Sequence, residues 1–279
     1  MNTLSPIEPQ EQDRVRRQVR EHYGRVAEQN GGCGCSPTCC TPGGEKSSAG
    51  SGAGAAAVSQ RLGYSAEETS AVPEGANLGL GCGNPLAIAS LRPGQTVLDL
   101  GSGAGFDVFL AARAVEAEGK VIGVDMTPAM ISKARSNAVK TGLANTDFRL
   151  GEIENLPVAD ASVDVILSNC VINLSPDKAR VFAESWRVLK PGGRLAISDV
   201  VALKPVPQAM RDDAELYASC ASGASLVTEV EQMLRDAGFT GIRVQPKPES
   251  RAVIQEWFPG KGLEDMFASA TIEAVKPAR

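Results

Sequence analysis

The sequence predicts an α/β protein built on a doubly wound, mostly parallel sheet. Between residues 97 and 200, apolar segments typical of buried strands alternate with segments typical of helices. The strand patterns are TVLDLGSG, KVIGVDM, TDFRLGE, VDVILSNC and RLAISDV, with helices expected at about 106 to 118, after Thr127-Pro128 and at about 175 to 189. Alternation of this kind indicates parallel strands joined by helices that cover the faces of the sheet.

An N-terminal extension precedes this region. Residues 8 to 29 space Val15, Val19, His22 and Val26 at helical intervals among charged residues, which predicts an amphipathic helix. The following segment, GGCGCSPTCCTPGGEKSSAGSGAGAAA, is first cysteine-rich and then Gly/Ser/Ala-rich, which predicts a mobile loop. We therefore expect an N-terminal helix, cysteine-rich loop and flexible linker over 1–60, a ligand-binding domain over 61–200, and a substrate-binding insertion with further strands over 201–279.

Composition excludes several classes of function. A net charge of −5 and a pI near 5.2 argue against binding to nucleic acid, which usually requires a basic surface. The sequence has no apolar run of about 18 residues and no signal-peptide pattern, so we expect a cytoplasmic protein without a membrane partner. In that compartment, seven cysteines favour metal binding or catalysis over structural disulfides. The only histidine, His22, lies among charged residues and is expected at the surface.

A glycine-rich turn follows the first predicted strand. In VLDLGSGAGFD, Asp99 is followed by Gly101, Gly103 and Gly105, which allow a ligand to approach the backbone at the start of a helix. A dinucleotide fingerprint would require its third glycine at position 106, where this chain has phenylalanine. The spacing D-x-G-x-G-x-G instead resembles that of S-adenosylmethionine-dependent methyltransferases.

Later strand ends supply the expected context. In folds of this type, Asp125 at the end of VIGVDM would bind both ribose hydroxyls and Met126 would pack on adenine. GEIENLP resembles the adenine-reading loop, with Glu152 near the exocyclic amine and Ile153 at the ring. The residues expected to bind S-adenosylmethionine are Asp99, Gly101, Ser102, Gly103, Gly105, Asp125, Met126, Glu152, Ile153 and Asn169.

Three cysteines lie on segments expected at the carboxyl edge of the sheet. Cys170 ends the fourth strand in SNCVINLSPDK, Cys82 lies in NLGLGCGNPLAIA, and Cys220 lies in LYASCASGA. A soft thiolate beside a methyl donor suits a soft methyl acceptor. The alternative is that each cysteine is a small buried apolar residue.

The glycine loop VLDLGSGAGFD, the three cysteine segments and the terminal SATIEAVKP resemble motifs of the arsenite S-adenosylmethionine methyltransferases. The resemblance extends from about residue 61 to 276 of this chain. The resemblance implies an enzyme that methylates arsenite or its thiol conjugate. It also implies that Cys82, Cys170 and Cys220 take part in the arsenic chemistry, the last two holding As(III) throughout. One N-terminal cysteine would join them, and of Cys33, Cys35, Cys39 and Cys40 we expect Cys40 or Cys39. A thiol reductant, glutathione or thioredoxin, would act as co-substrate.

Other functions stay open at this stage. The chain could methylate carbon or oxygen of a small organic acceptor, or act as a non-catalytic thiol-rich metalloid sensor. The CGCSPTCC cluster could bind zinc, although four thiols within eight residues suit tetrahedral zinc poorly without another partner. The number of methyl groups added, the use of antimonite and the oligomeric state are not fixed by the sequence.

Overall fold

The computed structural model describes residues 8–28, 52–211, 213, 216–217, 220–257 and 260–278. Within these residues one seven-stranded sheet is formed. Its strands are β1 (Thr96–Leu100), β2 (Lys120–Asp125), β3 (Thr146–Leu150), β4 (Val163–Asn169), β5 (Leu189–Ala202), β6 (Thr240–Pro246) and β7 (Phe267–Val275). The order is β3-β2-β1-β4-β5-β7-β6, with β1 to β5 parallel and β7 antiparallel to both neighbours. The predicted fold class is confirmed.

Helices flank the sheet. They are α1 (Pro9–Glu28), α2 (Gly52–Arg61), α3 (Ala66–Ser70), α4 (Leu86–Ala89), α5 (Phe106–Ala114), α6 (Pro128–Thr141), α7 (Lys178–Val188), α8 (Gln208–Arg211), α9 (Val227–Asp236) and α10 (Ser250–Trp257). Short 3-10 turns occupy Ile172–Leu174 and Leu263–Asp265. The helix expected from 175 begins at Lys178 because the Asp177 side chain accepts a hydrogen bond from the backbone N–H of Arg180 and caps it.

Apolar cores cover both faces of the sheet. Along β1, Val97 packs on the side of α5 and α6, whereas the next residue, Leu98, packs on the side of α7 and α9. Both side chains are fully buried. Because successive strand residues point to opposite faces, burial on both sides explains why the parallel strands are almost continuously apolar.

One expectation about the linker is wrong. The Gly/Ser/Ala-rich segment does not remain a loop throughout, because α2 begins at Gly52. Residues 55 to 57 are all alanine, the residue type with the highest intrinsic helix propensity. The helix is also anchored at its end, where the buried Ser59 hydroxyl donates to Asn77 Oδ1 at 3.0 Å. Residues 29–51, including the cysteine-rich loop, lie outside the described residues.

The strand order places a ligand crevice at a defined point. Leaving β1, the chain continues through β2 and β3 on one side and returns to β4 on the other. Open α/β sheets bind ligands at the carboxyl ends of the strands where the order reverses in this way. The Asp99 and Asn169 positions both fall at this edge. Among the described helices, none is long and apolar enough to cross a membrane.

Candidate active site

The glycine loop lies directly against the Cys170 segment. Gly101 has a φ of +67°, and a Cβ built there would lie 2.4 Å from a methyl group of Val171, the residue after Cys170. Only glycine permits that approach. A Cβ on Gly103, also left-handed, would meet no atom within 4 Å, so the loop faces open space on its other side. The buried Ser102 hydroxyl has no hydrogen-bond partner among the described residues and is available to a ligand.

Carboxylates surround this loop. Asp125 accepts hydrogen bonds from the backbone N–H groups of Gly103 at 3.0 Å and Thr127 at 2.8 Å, which ties the loop to the end of β2. Burial raises the pKa of Asp125 and, to a greater extent, that of Asp99, with Asp107 adding repulsion at Asp99. Burial also raises the pKa of Asp107 to about 6. A cationic ligand would offset the mutual repulsion, which fits the sulfonium and amino groups of S-adenosylmethionine.

Asp107 was not among the residues expected in the site. It begins α5 and accepts a hydrogen bond from the Tyr64 hydroxyl at 2.6 Å. Tyr64 in turn accepts one from Asn169 Nδ2 at 3.0 Å. The chain of bonds connects the first turn of α5 with the end of β4.

Asn169 was expected to bind the cofactor, but its amide contacts the Cys82 loop. Its Oδ1 accepts a hydrogen bond from the backbone N–H of Cys82 at 3.0 Å, and its Nδ2 donates to the Gly83 carbonyl at 2.7 Å. The Asn169 amide therefore has three hydrogen-bond partners, the Tyr64 hydroxyl, the Cys82 N–H and the Gly83 carbonyl, and Tyr64 links it to Asp107. This arrangement holds Cys82 beside the end of β4.

The expected adenine-reading loop contacts α1. Glu152 is 3.4 Å from Arg16 and 4.0 Å from Arg20, and Arg16 is also 3.4 Å from the buried Glu154. Ile153 is 8% exposed and packs into the core beside α7. On the same side, Met126 is half-buried against Val19 and Tyr23 of α1. The N-terminal helix therefore covers the crevice, its apolar face turned inward as its spacing predicted.

The three expected cysteines converge. Cys82 and Cys220 are buried, Cys170 is half-buried, and all are free thiols. Cys170 packs in the clusters that contain Cys82 on one side and Cys220 on the other, and Cys220 Sγ donates to the Cys170 carbonyl at 2.9 Å. Segments separated by 88 and 50 positions (82 to 170, and 170 to 220) thus meet at Cys170.

Backbone conformation assists this convergence. Cys170 and Cys220 have φ angles of +59° and +64°, in the left-handed region that residues other than glycine seldom adopt. Such conformations persist where surrounding structure fixes them, and they concentrate at functional sites.

The thiols are protonated in the absence of a ligand. Burial raises the pKa of Cys82, and the neighbouring Cys170 thiol together with burial raises that of Cys220. At Cys170 the neighbouring Cys220 thiol lowers the pKa, but the Cys82 thiol and burial raise it by more, so the net direction is well upward. The cluster therefore stays uncharged until something that binds sulfur displaces the protons.

Asp199, another residue that sequence reasoning missed, adjoins the thiols. It lies in β5, and one of its carboxylate oxygens is within 4.8 Å of both Cys82 Sγ and Cys170 Sγ. Burial raises the pKa of its carboxyl to about 6, and backbone hydrogen bonds from Val200 and Ile172 and the charge of Lys178 limit the rise. Burial also lowers the Lys178 pKa to about 8. The only signal in the sequence was an acid inside the apolar strand pattern RLAISDV.

The fourth expected thiol cannot be placed. Cys33, Cys35, Cys39 and Cys40 all lie in residues 29–51, outside the described residues. Helix α1, which precedes them, ends at Glu28 beside α6, where Lys133 donates to the Ala27 carbonyl at 2.9 Å. Their participation stays a prediction.

Fold and site together define a methyltransferase of the class that uses S-adenosylmethionine. A family profile described as a methyltransferase domain matches residues 91–238. The match covers the strands from β1 to β5 and the helices between them.

The chain belongs more particularly to the arsenite methyltransferase family. It is 50% identical to the arsenite methyltransferase of Halobacterium salinarum over 276 residues, covering 96% of this chain and 68% of that protein. It is 46% identical to that of Aquipseudomonas alcaligenes over 61% of this chain, but covers only 51% of the relative. The solved structure of an arsenic(III) S-adenosylmethionine methyltransferase from Chlamydomonas reinhardtii superposes with a TM-score of 0.61 at 34% identity, covering 80% of this chain and 74% of that one.

Proposed function

We propose that this chain is an arsenite methyltransferase that binds As(III) through Cys82, Cys170 and Cys220 and transfers methyl groups to it from S-adenosylmethionine. The observation that supports it most directly is the meeting of three free thiols beside the glycine loop, with Cys82 and Cys220 buried and Cys170 half-buried. An acceptor held by these sulfur atoms would lie at the carboxyl edge of the sheet, where the methyl donor is expected. The product is a methylated arsenical.

Capture of arsenic needs no dedicated base. Each thiol that displaces a hydroxide from arsenite forms one S–As bond, and its proton leaves with the hydroxide as water. If arsenic arrives as a thiol conjugate, the proton leaves on the displaced thiol. Protonated, buried cysteines are therefore competent to react, because the bond they form releases the proton.

The residues that would hold S-adenosylmethionine are Asp99, Asp125 and the glycine loop, with Glu152 and Met126 toward adenine. When bound, it supplies a methyl group on a positive sulfonium, which the arsenic lone pair can accept by direct displacement. The contribution of the protein is then to hold acceptor and donor in line, and such alignment supplies about 7–11 kcal/mol in favourable cases. The half-buried histidine at position 22 has no step to perform.

A thiol reductant is also part of this function. Transfer of a methyl cation to the lone pair formally oxidises arsenic by two electrons, so a further round requires two electrons from thiols. Glutathione, thioredoxin or a cysteine pair that closes to a disulfide would provide them. We infer a cytoplasmic location for the same reason, since that compartment keeps such thiols reduced.

The test is an assay with purified protein, labelled S-adenosylmethionine, glutathione and arsenite, scored for methylated arsenic. We expect label in arsenic products from the unchanged chain and none from Cys170→Ser, a near-isosteric variant. If the unchanged chain binds S-adenosylmethionine but yields no methylated arsenic, arsenite is not the acceptor. A small organic acceptor would then be sought.

A further inference from the structure

A second set of ligands shares two of the arsenic thiols. Cys82 Sγ, Cys170 Sγ and a carboxylate oxygen of Asp199 all lie within 4.8 Å of one another. Cys82 and Asp199 are 3% and 2% exposed, so water screens the cluster weakly. Arsenic(III) is soft and forms a pyramid with three thiolates, which gives the carboxylate no place among its ligands. Asp199 therefore adds a ligand type that the proposed substrate does not need.

Two thiolates and a carboxylate are a ligand set for a borderline divalent cation. Zinc takes sulfur at about 2.3 Å and carboxylate oxygen at about 2.0–2.2 Å, usually in a tetrahedron. Two sulfurs on a tetrahedral zinc lie about 3.8 Å apart. Side-chain movements of about 1 Å would convert the present spacing into that geometry. A water would complete the tetrahedron, as in zinc sites with three protein ligands.

The carboxylate is held by the surrounding structure. Asp199 Oδ1 accepts hydrogen bonds from Asn173 Nδ2 at 2.9 Å and from the backbone N–H of Val200 at 2.7 Å. In the described part of the chain, Oδ2 accepts one, from the backbone N–H of Ile172 at 2.9 Å. A carboxylate oxygen has further lone pairs, so Oδ2 keeps capacity for a cation. Hydrogen bonds of this kind orient ligating carboxylates in metal sites.

Cys82 is fixed as well. The Asn169 amide binds the backbone at Cys82 and Gly83, as described above. The site is therefore formed from two anchored loops and the end of β5 and does not depend on residues 29–51. Ionised, the three ligands would carry three negative charges near two lysines, Lys178 and Lys247, and a dication would offset the remaining excess.

We propose that Cys82, Cys170 and Asp199 form a binding site for a thiophilic divalent cation such as Zn²⁺ or Cd²⁺, mutually exclusive with arsenic. Both ligands need the Cys82 and Cys170 sulfurs, so occupation by one prevents full coordination of the other. Arsenic uses Cys220 as its third ligand, whereas the cation uses Asp199. Zinc would thus be a competitive inhibitor with respect to arsenite; this last point rests on the proposed function, while zinc binding itself does not.

The test exploits this difference. All variants carry serine at positions 33, 35, 39 and 40, which removes the other thiols. Zn²⁺ affinity is measured by competition with a chromophoric chelator, and As(III) affinity by quenching of a thiol-sensitive fluorophore on a competing dithiol. We expect Asp199→Asn to weaken zinc binding at least about tenfold while As(III) binding stays within about twofold. Cys220→Ser should weaken As(III) binding and leave zinc binding nearly unchanged. Cys82→Ser should weaken the binding of both zinc and As(III).

Two controls keep the outcomes separate. The S-adenosylmethionine affinity and the unfolding midpoint of Asp199→Asn show whether this variant folds. If it does not fold, the zinc affinity of Cys220→Ser still tests the site. Zinc binding that is unchanged in Asp199→Asn, or lost in Cys220→Ser, would overturn the site. Because the zinc measurement contains neither arsenic nor methyl donor, a chain that binds zinc as expected yet methylates no arsenite contradicts only the proposed function.

Discussion

Asn169 holds Cys82 in place: its Oδ1 accepts a hydrogen bond from the Cys82 N–H at 3.0 Å while its Nδ2 donates to the Gly83 carbonyl at 2.7 Å. Leucine at position 169 would remove both. Net losses of about 1 kcal/mol per hydrogen bond predict at least a tenfold fall in methylation of arsenite, which needs the third thiol. Methylation of monomethylated arsenite should change less.

X-ray absorption of the arsenic-loaded Asn169→Leu variant is the accompanying measurement. We expect the number of sulfur neighbours of arsenic to fall from three to two, while calorimetric affinity for S-adenosylmethionine is unchanged. Three sulfur neighbours together with a slow reaction would show that Asn169 acts on the cofactor and not on Cys82. That result would support the cofactor-binding role expected from the sequence, which stays a prediction.

Serine substitutions should separate the cysteines by substrate. Cys170→Ser or Cys220→Ser should abolish methylation of both arsenite and monomethylated arsenite, because two thiolates are the minimum that either species requires. Cys82→Ser should block the first methylation and at least partly spare the second when a strong thiol reductant is present. Serine is nearly isosteric with cysteine, but its hydroxyl binds arsenic poorly. Chromatography with element detection identifies the methylated products of each variant. If Cys170→Ser methylates both substrates at the wild-type rate, the Cys170 thiol only contributes to packing.

Asp125→Ala should lower the affinity for S-adenosylmethionine at least tenfold. Two charge-assisted hydrogen bonds to ribose would be lost, each contributing about 1.5–3 kcal/mol at most. The glycine loop would also lose its bond from the Gly103 N–H to Asp125 at 3.0 Å. Asp125→Asn retains the size and serves as the matched control for packing. Calorimetry giving equal affinity for the alanine variant and the unchanged chain would contradict the assignment.

Arg16 should hold α1 over the crevice. It lies 3.4 Å from both Glu152 and Glu154 and is 13% exposed. Arg16→Gln should leave the buried Glu154 without its ion pair and accelerate amide hydrogen exchange in α1 at least severalfold. Arg17→Gln, on the exposed side of the same helix, is the matched control. Equal exchange rates in the two variants would mean that apolar contacts alone hold α1.

The buried Asp107 should make stability depend on pH. Its pKa in the folded protein is about 6, raised from 3.8 by burial, so the folded state binds its proton more tightly than the unfolded state. The stability contributed by the protonated form is present at pH values below 3.8 and is lost as pH rises through about 6. Asp107→Asn should flatten this part of the profile. Urea unfolding between pH 4 and 7 measures the difference in unfolding free energy between Asp107→Asn and the unchanged chain. This difference should be larger at pH 7 than at pH 4, and it would be constant if Asp107 titrated normally.

Local patterns predicted the strands, the glycine loop and the place of Cys170, because each depends on where a strand begins or ends. Cys82 and Cys220 were expected beside Cys170 because the segments before β1 and after β5 cap the same edge in folds of this type. The role of Asn169 could not be read in this way, since its partner Tyr64 is 105 positions away. Asp199 was hidden for another reason. It occupies a buried position within a strand, and only the packing of β5 against the 170–173 turn gives it hydrogen-bond donors. Helix α2 was missed because its sequence was interpreted by composition and not by alanine propensity.

The left-handed backbone at Cys170 and Cys220 has a consequence for laboratory evolution. Each such residue costs about 1–2 kcal/mol that glycine would not. Selecting a library for thermal resistance alone should therefore enrich glycine at 170 and 220, and detoxifying capacity would disappear from the most heat-resistant clones. Transplanting the thiols onto another methyltransferase would conversely require moving both turns, since cysteines placed on ordinary extended backbone would point their sulfur atoms elsewhere.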